Sequence, residues 1–325
     1  MFTFNMEKPK ASSLFDEVLL WDMIVIGGGP AGLNGALYAK RKGLMVGVVT
    51  LEIGGQLHNT STVDNYLGFK NIEGKDLSDE FFEHVKNLDV PILSGIRTQE
   101  IKKHNDIFEV RLSDGRTLNA KTILLATGGA PRKLSVPGEV EFSNKGVSYC
   151  TTCDAPFFKD KHVIVAGGGN SAAEAVLDLV PWASKITVVH RSVWRADTIL
   201  LKKLKAVDKL DIHLNSQILE IFGDDLMKGI KYLDQSENIE KILEADGLFI
   251  EIGTIPNSYL LKGLVELNER DEVIVDKFQM TSEKGIFAAG DVTNQEDKQI
   301  IISAAEGAKA ALAITKYLNK FYKGE

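Results

Sequence analysis

The sequence predicts an α/β protein with two similar strand–helix–strand units, and three observations support this prediction. A short apolar stretch runs directly into a glycine-rich turn at residues 22–33, and a helical pattern and a second apolar stretch follow it. The same order of features returns at residues 161–189. Further strand-like stretches lie between and after the two units. Apolar strands that alternate with helical segments are typical of a parallel sheet covered by helices.

The individual elements follow from hydrophobic spacing and from glycine breaks. In the first unit we expect strands at 22–26 and 45–49, with a helix at 33–42 that Gly43 ends. In the second unit we expect strands at 161–166 and 185–189, with a helix at 173–179. Other predicted strands are 108–112, 122–126 and 247–252, and residues 299–325 are predicted to form one amphipathic helix. The first 20 or so residues show no clear period and are interpreted as an extension.

Composition and charge limit the possible functions. Apolar residues make up 44% and charged residues 26% of the 325 residues, which is typical of a globular protein. The formal charge of −7 argues against nucleic acid as a partner, since phosphate binding favours a basic surface. No apolar run approaches the roughly 18–20 residues that span a bilayer, so no membrane association is expected. We therefore expect a cytoplasmic protein.

The first glycine turn has the pattern of a dinucleotide site. Gly27, Gly29 and Gly32 form G-x-G-x-x-G between an apolar strand and a helix. In this pattern the first glycine makes the tight turn, the second lets the backbone approach a pyrophosphate, and the third lets helix and strand pack closely. The pyrophosphate then faces the N–H groups at the helix N-terminus. Glu52, 20 residues after Gly32, is a candidate for bonding a ribose.

The second glycine turn differs in the residues that come after its second strand. Gly167, Gly169 and Ala172 form the alanine variant of the pattern. Arg191 and Arg195 follow the strand, and no acid appears before Asp197. Arginine accommodates the 2′-phosphate of NADP, whereas an acid would bond the 2′-hydroxyl of NAD. The pattern favours NADPH, and a solvated surface arginine is the alternative.

The C-terminal part contains a third feature of this kind. A predicted strand at 285–291 ends in Asp291, whose carboxylate could bond sugar-alcohol hydroxyls, and a helix begins near Gln299. The N-terminus of that helix would stabilise a reduced, anionic flavin. Two nucleotide units in one chain indicate two nucleotides between which electrons pass.

The only two cysteines, Cys150 and Cys153, are three positions apart and are followed by Asp154. A structural zinc site needs four ligands, and neither a second cysteine pair nor histidines at metal spacing are present. A C-x-x-C pair in a reducing compartment is typically redox-active. Asp154 could transfer the protons of thiol–disulfide exchange, or it could cap a helix.

Together these motifs make the chain resemble a low-molecular-weight, flavin-dependent thioredoxin reductase, from about Met23 to Tyr317. The motifs that carry the resemblance are residues 27–32 (GGGPAG), 54–57 (GGQL), 64–65 (DN), 126–128 (ATG), 150–154 (CTTCD), 167–172 (GGGNSA) and 290–292 (GDV). The resemblance implies a homodimer in which each chain has two Rossmann-like, three-layer dinucleotide-binding domains. The FAD domain would comprise 22–130 and 257–325. An NAD(P)H domain at 131–256 would be inserted in it, and 1–21 would be the N-terminal extension.

The resemblance also implies roles for particular residues. Cys153 would face the flavin, Cys150 would attack the disulfide of thioredoxin, and Asp154 would be the acid–base. The expected FAD contacts are Gly27, Gly28, Gly29, Pro30, Ala31, Gly32, Glu52, Gly55, Gln56, Asn65, Thr127, Gly128, Gly290, Asp291 and Gln299. The expected NADPH contacts are Gly167, Gly169, Asn170, Ser171, Ala172, Arg191 and Arg195. No metal ligand is expected.

One departure from the family leaves the electron donor open. The family has two adjacent arginines after the second strand, and here Ser192 stands in place of the second. Relatives that lack this motif draw electrons from other donors, so NADH and a ferredoxin remain alternatives to NADPH. The acceptor could be thioredoxin, a glutaredoxin-like protein or a peroxidase-linked partner. A flavin-bound redox sensor is the alternative from a different functional class.

Overall fold

In the computed structural model, residues 14–60 and 62–323 are described, and the chain divides into two units. Unit 1 takes the chain up to Ala130 and again from Ile255, and unit 2 is Pro131–Thr254. The predicted fold class, α/β with two Rossmann-like dinucleotide-binding domains, is confirmed. Most of the predicted extension, residues 1–13, lies outside the described residues.

Helices and strands are numbered separately in chain order. The α-helices are α1 Leu14–Glu17, α2 Pro30–Arg41, α3 Gly74–Lys86, α4 Thr151–Asp154, α5 Asn170–Leu179, α6 Thr198–Leu204 and α7 Ile300–Leu318. The strands are β1 Trp21–Gly28, β2 Val46–Ile53, β3 Thr62–Val63, β4 Ile72–Glu73, β5 Ile92–Ser94, β6 Thr98–His104, β7 Ile107–Leu112, β8 Thr117–Leu125, β9 Gly129–Pro131, β10 Val147–Ser148, β11 His162–Ala166, β12 Lys185–Val189, β13 Leu210–His213, β14 Ser216–Gly223, β15 Met227–Asp234, β16 Ile239–Glu244, β17 Gly247–Ile250, β18 Thr254–Pro256 and β19 Ile286–Ala288.

Unit 1 is built on a seven-stranded sheet in the order β5-β2-β1-β8-β7-β6, with β19 also paired to β8. Successive side chains of β1 point to opposite faces of the sheet. Met23 and Val25 pack with α2 and α7 on one face, whereas Ile24 and Ile26 belong to the core on the other face. Both faces of β1 are therefore buried, as expected for a central parallel strand.

The residues just before β1 join this core. Phe15, on α1, is 3% exposed, and its ring lies 4.9 Å from that of Trp21. Trp21 is itself fully buried. The described end of the predicted extension is thus packed into unit 1.

Unit 2 has a five-stranded parallel sheet in the order β10-β17-β11-β12-β13. Helix α5 covers one face through Ala172 and Val176, which pack with Val163 and Val165 of β11. The antiparallel sheet β14-β15-β16 covers the other face. The unit therefore has three layers.

Several elements differ from the prediction at their ends. The helices α2 and α5 begin three residues earlier than predicted, directly after Gly29 and Gly169. Strand β2 continues to Ile53 because it pairs with the end of β1 at Gly28, so Glu52 lies within the strand rather than beyond it. The C-terminal helix ends at Leu318 and is followed by one π-helical turn, Asn319–Lys323. Residues 324 and 325 lie outside the described residues.

Candidate functional site

The first glycine turn connects β1 to α2 with very little space. Gly27 has φ +117°, and a Cβ there would overlap the carbonyl oxygen of Ala126. A Cβ at Gly32 would overlap the carbonyl oxygen of Gly27, so α2 lies directly on the turn. By contrast, a Cβ at Gly29 would meet no atom closer than 3.9 Å. Gly29 therefore leaves room in front of the N-terminus of α2, where Pro30 and Ala31 follow.

Residues distant in sequence meet beside this turn. Gly28 accepts a hydrogen bond from the N–H of Gly54 at 2.8 Å. Gly55 lies beside it, where its Cβ would be 3.7 Å from the Cα of Gly29. The Gln56 Nε2 donates to Asp291 Oδ2 at 2.8 Å, and the Asn65 Nδ2 donates to Gln299 Oε1 at 3.2 Å. Four predicted FAD residues are thus brought together in two pairs.

The segment after β19 closes over the start of α2. A Cβ at Gly290 would lie 3.0 Å from that of Ala31. Asp291 accepts a second hydrogen bond, from Ser303 Oγ at 3.1 Å, and burial raises its pKa. The Gly290 N–H donates to Glu306 Oε2 at 2.7 Å, and burial raises the pKa of Glu306 as well. Sequence reasoning missed Ser303 and Glu306, although an acid on the apolar face of an alanine-rich helix is a detectable signal.

Asn257, which the sequence analysis did not predict, holds the segment that follows β8. Thr127 Oγ1 donates to the carbonyl oxygen of Asn257 at 2.7 Å, and Asn257 Nδ2 donates back to that of Thr127 at 2.9 Å. The Asn257 N–H donates to Gly128. Glu52, the predicted ribose-binding acid, is exposed, and its carbonyl oxygen accepts from Thr50 Oγ1 at 2.6 Å.

The second glycine turn, in unit 2, connects β11 to α5. A Cβ at Gly167 would overlap the carbonyl oxygen of Glu251, whereas one at Gly169 would meet nothing within 4 Å. Ser171 is exposed, and Ala172 packs into the core. At the start of α5, Asn170 exchanges two hydrogen bonds with Asp197, at 2.9 and 2.8 Å. The acid that the sequence places after the two arginines therefore lies at this turn.

The two arginines lie close to the same turn. The Arg195 N–H donates to the carbonyl oxygen of Gly168 at 2.7 Å. Both Arg191 and Arg195 are exposed. Burial lowers the pKa of His190, and the positive charges of Arg195 and Arg191 lower it further. The Ser192 hydroxyl lies 3.1 Å from Nε2 of His190. Two positive charges therefore flank the second turn, and Ser192 is engaged with the histidine.

The cysteine pair forms a disulfide at the start of α4. Cys150 and Cys153 are bonded, with their Cα atoms 5.3 Å apart, and the predicted redox disulfide is confirmed. Ser148, at the end of β10, accepts from the Cys150 N–H at 3.1 Å and donates to Asp154 Oδ2 at 2.6 Å. Although Asp154 precedes a 3₁₀ turn, its side chain makes no capping bond there. Its carboxylate is instead fixed beside the cysteine turn.

A second missed acid reaches the same turn. Thr151, between the two cysteines, donates its hydroxyl to Glu251 Oε1 at 2.7 Å. Burial raises the pKa of Glu251 to about 7.

Among the described residues, no group of three or more His, Cys, Asp or Glu side chains could hold a metal ion. In the same residues no helix combines the length and apolar character needed to span a membrane.

Comparison with known families agrees with this geometry. The family model described as pyridine nucleotide-disulphide oxidoreductase matches residues 21–311. The chain belongs to this family. Membership implies an oxidoreductase that uses a flavin and a pyridine nucleotide.

Solved structures of thioredoxin reductases are similar to this chain. Thioredoxin reductase from Streptococcus pyogenes MGAS5005 is 36% identical with a TM-score of 0.88, over 93% of this chain and 99% of that chain. Thioredoxin reductase from Giardia duodenalis is 29% identical with a TM-score of 0.87, over 93% and 99% of the two chains. The predicted resemblance to a low-molecular-weight, flavin-dependent thioredoxin reductase is confirmed.

Curated relatives carry a different name. The F protein of alkyl hydroperoxide reductase from Staphylococcus aureus (strain Mu50 / ATCC 700699) is 41% identical over 308 residues, which are 94% of this chain and 61% of that protein. The chain thus spans about three fifths of the length of the curated relatives it matches.

Proposed function

We propose that this oxidoreductase is an NADPH-dependent thioredoxin reductase that delivers electrons to a thioredoxin-like protein through Cys150 and Cys153. The observation that carries the proposal is the disulfide at the start of α4, in a unit with its own glycine turn. Beside it, Ser148 bonds both the Cys150 N–H and the Asp154 carboxylate. We assign FAD to unit 1 and NADPH to unit 2.

The residues of unit 1 fit FAD. The open space in front of Gly29 and the free N–H groups at the start of α2 suit a pyrophosphate. Asp291 and Gln56 bond to each other beside the same turn. Hydroxyl groups of the cofactor could replace this hydrogen bond with bonds to either side chain. When bound, FAD would supply two-electron chemistry between a nucleotide and a dithiol. Glu52, Asn65, Thr127 and Gln299 complete the proposed set.

The residues of unit 2 fit a phosphorylated nucleotide. The open position at Gly169 allows a pyrophosphate to approach α5, and Asn170 and Ser171 lie at its N-terminus. Arg191 and Arg195 supply positive charge beside the turn, which favours a 2′-phosphate. Ser192 adds no charge, so we expect the preference for NADPH over NADH to be modest.

Once the Cys150–Cys153 disulfide has been reduced, the dithiol can exchange with a partner's disulfide in two steps. Cys150 as a thiolate attacks one sulfur of the partner's disulfide, forming a mixed disulfide and releasing the other partner sulfur as a thiolate. Cys153 then attacks Cys150, which re-forms the Cys150–Cys153 bond and releases the second partner sulfur. Asp154 lies within reach of this turn and is proposed to take up and return the protons that the exchange moves.

One observation favours a second candidate for the acceptor. The 41% identity to the F protein of alkyl hydroperoxide reductase extends over 94% of this chain. The same dithiol could therefore serve a peroxide-reducing partner in place of thioredoxin. NADH or a ferredoxin remains the alternative donor, because Ser192 replaces a charged residue of the family motif.

We also propose a homodimer in the cytoplasm, without a nucleic acid or membrane partner. The homodimer rests on the resemblance to the thioredoxin reductases. The compartment rests on the low cysteine content, two in 325 residues, because frameworks of structural disulfides are common in oxidising compartments. Size-exclusion chromatography with light scattering tests the dimer.

The proposal is tested on the purified chain. We expect one FAD per chain and NADPH oxidation that depends on an added disulfide partner. Thioredoxin and a peroxide-reducing dithiol protein are compared as acceptors, and NADPH, NADH and reduced ferredoxin as donors. A chain that cannot be loaded with FAD would overturn the proposal. Rapid reduction of the chain without turnover of any disulfide would instead favour the redox sensor.

A further inference from the structure

Glu251 is a buried acid that the proposed chemistry does not use. It follows β17 directly, at the carboxyl end of the parallel sheet of unit 2. Its N–H donates to Ala166 at the end of β11, at 2.8 Å. Its carbonyl oxygen lies against Gly167, so tightly that a Cβ at Gly167 would overlap it. The backbone of Glu251 is therefore fixed beside the second nucleotide turn.

The side chain of Glu251 extends to the cysteine turn. Its Oε1 accepts from Thr151 Oγ1 at 2.7 Å, and Thr151 is the first residue of α4. Cys150 precedes Thr151 as the N-cap of that helix, and Ser148 holds Cys150 from the neighbouring strand β10. The adjacent strands β10 and β17 thus hold the cysteine turn at two points, through Ser148 and through Glu251.

The surroundings of Glu251 oppose its charge. Burial raises its pKa to about 7, and the hydrogen bonds from the Thr151 hydroxyl and backbone only partly lower it. The acids Asp178 and Glu174 of α5 face it and raise its pKa further. Asp154 is the other acid on the turn itself. The charge of Glu251 therefore changes within the neutral range.

We propose that Glu251 is a positioning residue that fixes Thr151 and, by its charge, makes the reactivity of the Cys150–Cys153 pair depend on pH. The inference rests on the proposed thiol–disulfide function. Reduction breaks the sulfur–sulfur bond with two electrons and takes up two protons, or one proton if one sulfur stays a thiolate. An exogenous dithiol supplies both electrons and is itself oxidised to a disulfide.

The sign of the effect follows from like charges. An ionised Glu251 disfavours a thiolate in the adjacent turn, whereas a protonated Glu251 does not. Glu251→Gln keeps an oxygen that can accept from Thr151 but removes the charge. The variant and the parent should therefore react alike at pH 5.5 and differ at pH 8.5. If Glu251 had a purely structural role, Glu251→Gln would change the reactivity of the cysteine pair equally at both pH values.

The test uses the purified chain, dithiothreitol and iodoacetamide, without nucleotide or partner protein. At pH 8.5 we expect the equilibrium constant for reduction of the disulfide to be roughly 3–10-fold higher in Glu251→Gln than in the parent. The pH midpoint of thiol alkylation should fall by about 0.5–1 unit. Glu220→Gln, at an exposed acid of the same unit, is the matched control and should change neither.

Two further variants cover the case in which Glu251→Gln does not fold. Thr151→Val removes the hydroxyl donor and should raise the pKa of Glu251, moving the onset of the pH effect upward. Thr151→Ser keeps the donor and should restore the parent profile. Identical profiles for the parent, Glu251→Gln and Thr151→Val would overturn the inference. Because no acceptor protein is used, this result is independent of whether thioredoxin is the partner.

Discussion

The two glycine turns share one sequence pattern but differ in how the rest of their unit surrounds them. The first turn is covered by a returning segment: Gly290 lies against Ala31, and Asp291 bonds to Gln56. The second turn is bordered by the segment that follows β12, in which Arg195 bonds to Gly168 and Asp197 bonds to Asn170. A turn that a buried returning segment covers suits a cofactor that stays bound. A turn bordered by a segment with exposed side chains, such as Arg191 and Arg195, suits a nucleotide that exchanges with each turnover.

One added methyl group in each turn tests whether the two turns bind different ligands. Gly29 and Gly169 both have negative φ, −81° and −101°, and space for a Cβ. Alanine at either position should therefore leave the folded chain intact and obstruct only a ligand. We expect Gly29→Ala to weaken FAD binding at least about tenfold, or about 1.4 kcal/mol. Flavin absorbance per chain measures it.

The matched variant, Gly169→Ala, should keep its full flavin content. Its KM for NADPH should rise instead, by a similar factor. Loss of flavin from Gly169→Ala, with normal content in Gly29→Ala, would reverse the assignment of the two turns.

Nucleotide choice at the second turn should depend on Arg191. A charge-assisted bond to a phosphate contributes about 1.5–3 kcal/mol, so its loss should reduce the preference for NADPH over NADH by up to roughly 10–150-fold. Because we expect a modest preference in the parent, Arg191→Ala should use both nucleotides about equally. NADH kinetics should stay nearly unchanged. Ser192→Arg should sharpen the bias, because it adds a second charge. Equal use of both nucleotides by the parent and by Arg191→Ala would show that Arg191 is only a surface charge.

The smallest expected effect concerns the acid that supports the first turn. Burial raises the pKa of Glu306 above its unfolded value, so folding favours its protonated form and stability falls as pH rises through that range. Glu306→Gln keeps an acceptor for the Gly290 N–H and removes this dependence. We expect a flatter stability profile above pH 4.5, with a change within about 1 kcal/mol. Urea unfolding at several pH values tests it, with Glu296→Gln, at an exposed acid, as control.

The contrast between the turns also marks what the sequence could predict. Local spacing was sufficient for the glycine turns, the strand–helix–strand units and the cysteine pair, since each depends on neighbouring residues. The end of β2 differs from the prediction because pairing of Ile53 with Gly28 extends β2 beyond its apolar run. The start of α2 differs because Pro30 interrupts a helical pattern in the sequence but is well suited to the first position of a helix.

Contacts between distant segments could not be predicted from local pattern. Ser303 and Asn257 hold predicted FAD residues, and Glu251 reaches Thr151 across 100 positions of sequence. Such partners are ordinary polar residues whose roles arise only when the sheet brings strand ends together.

In the proposed reaction, electrons leave the chain through the cysteine pair after the nucleotide has already been oxidised. Anaerobic reduction of the flavin-loaded chain by NADPH, followed by addition of the disulfide partner, tests it in Cys150→Ser and Cys153→Ser. Each variant should be reduced by the nucleotide at a rate close to the parent's and should fail to reduce the partner's disulfide. A variant that keeps most of its disulfide reduction would contradict the claim.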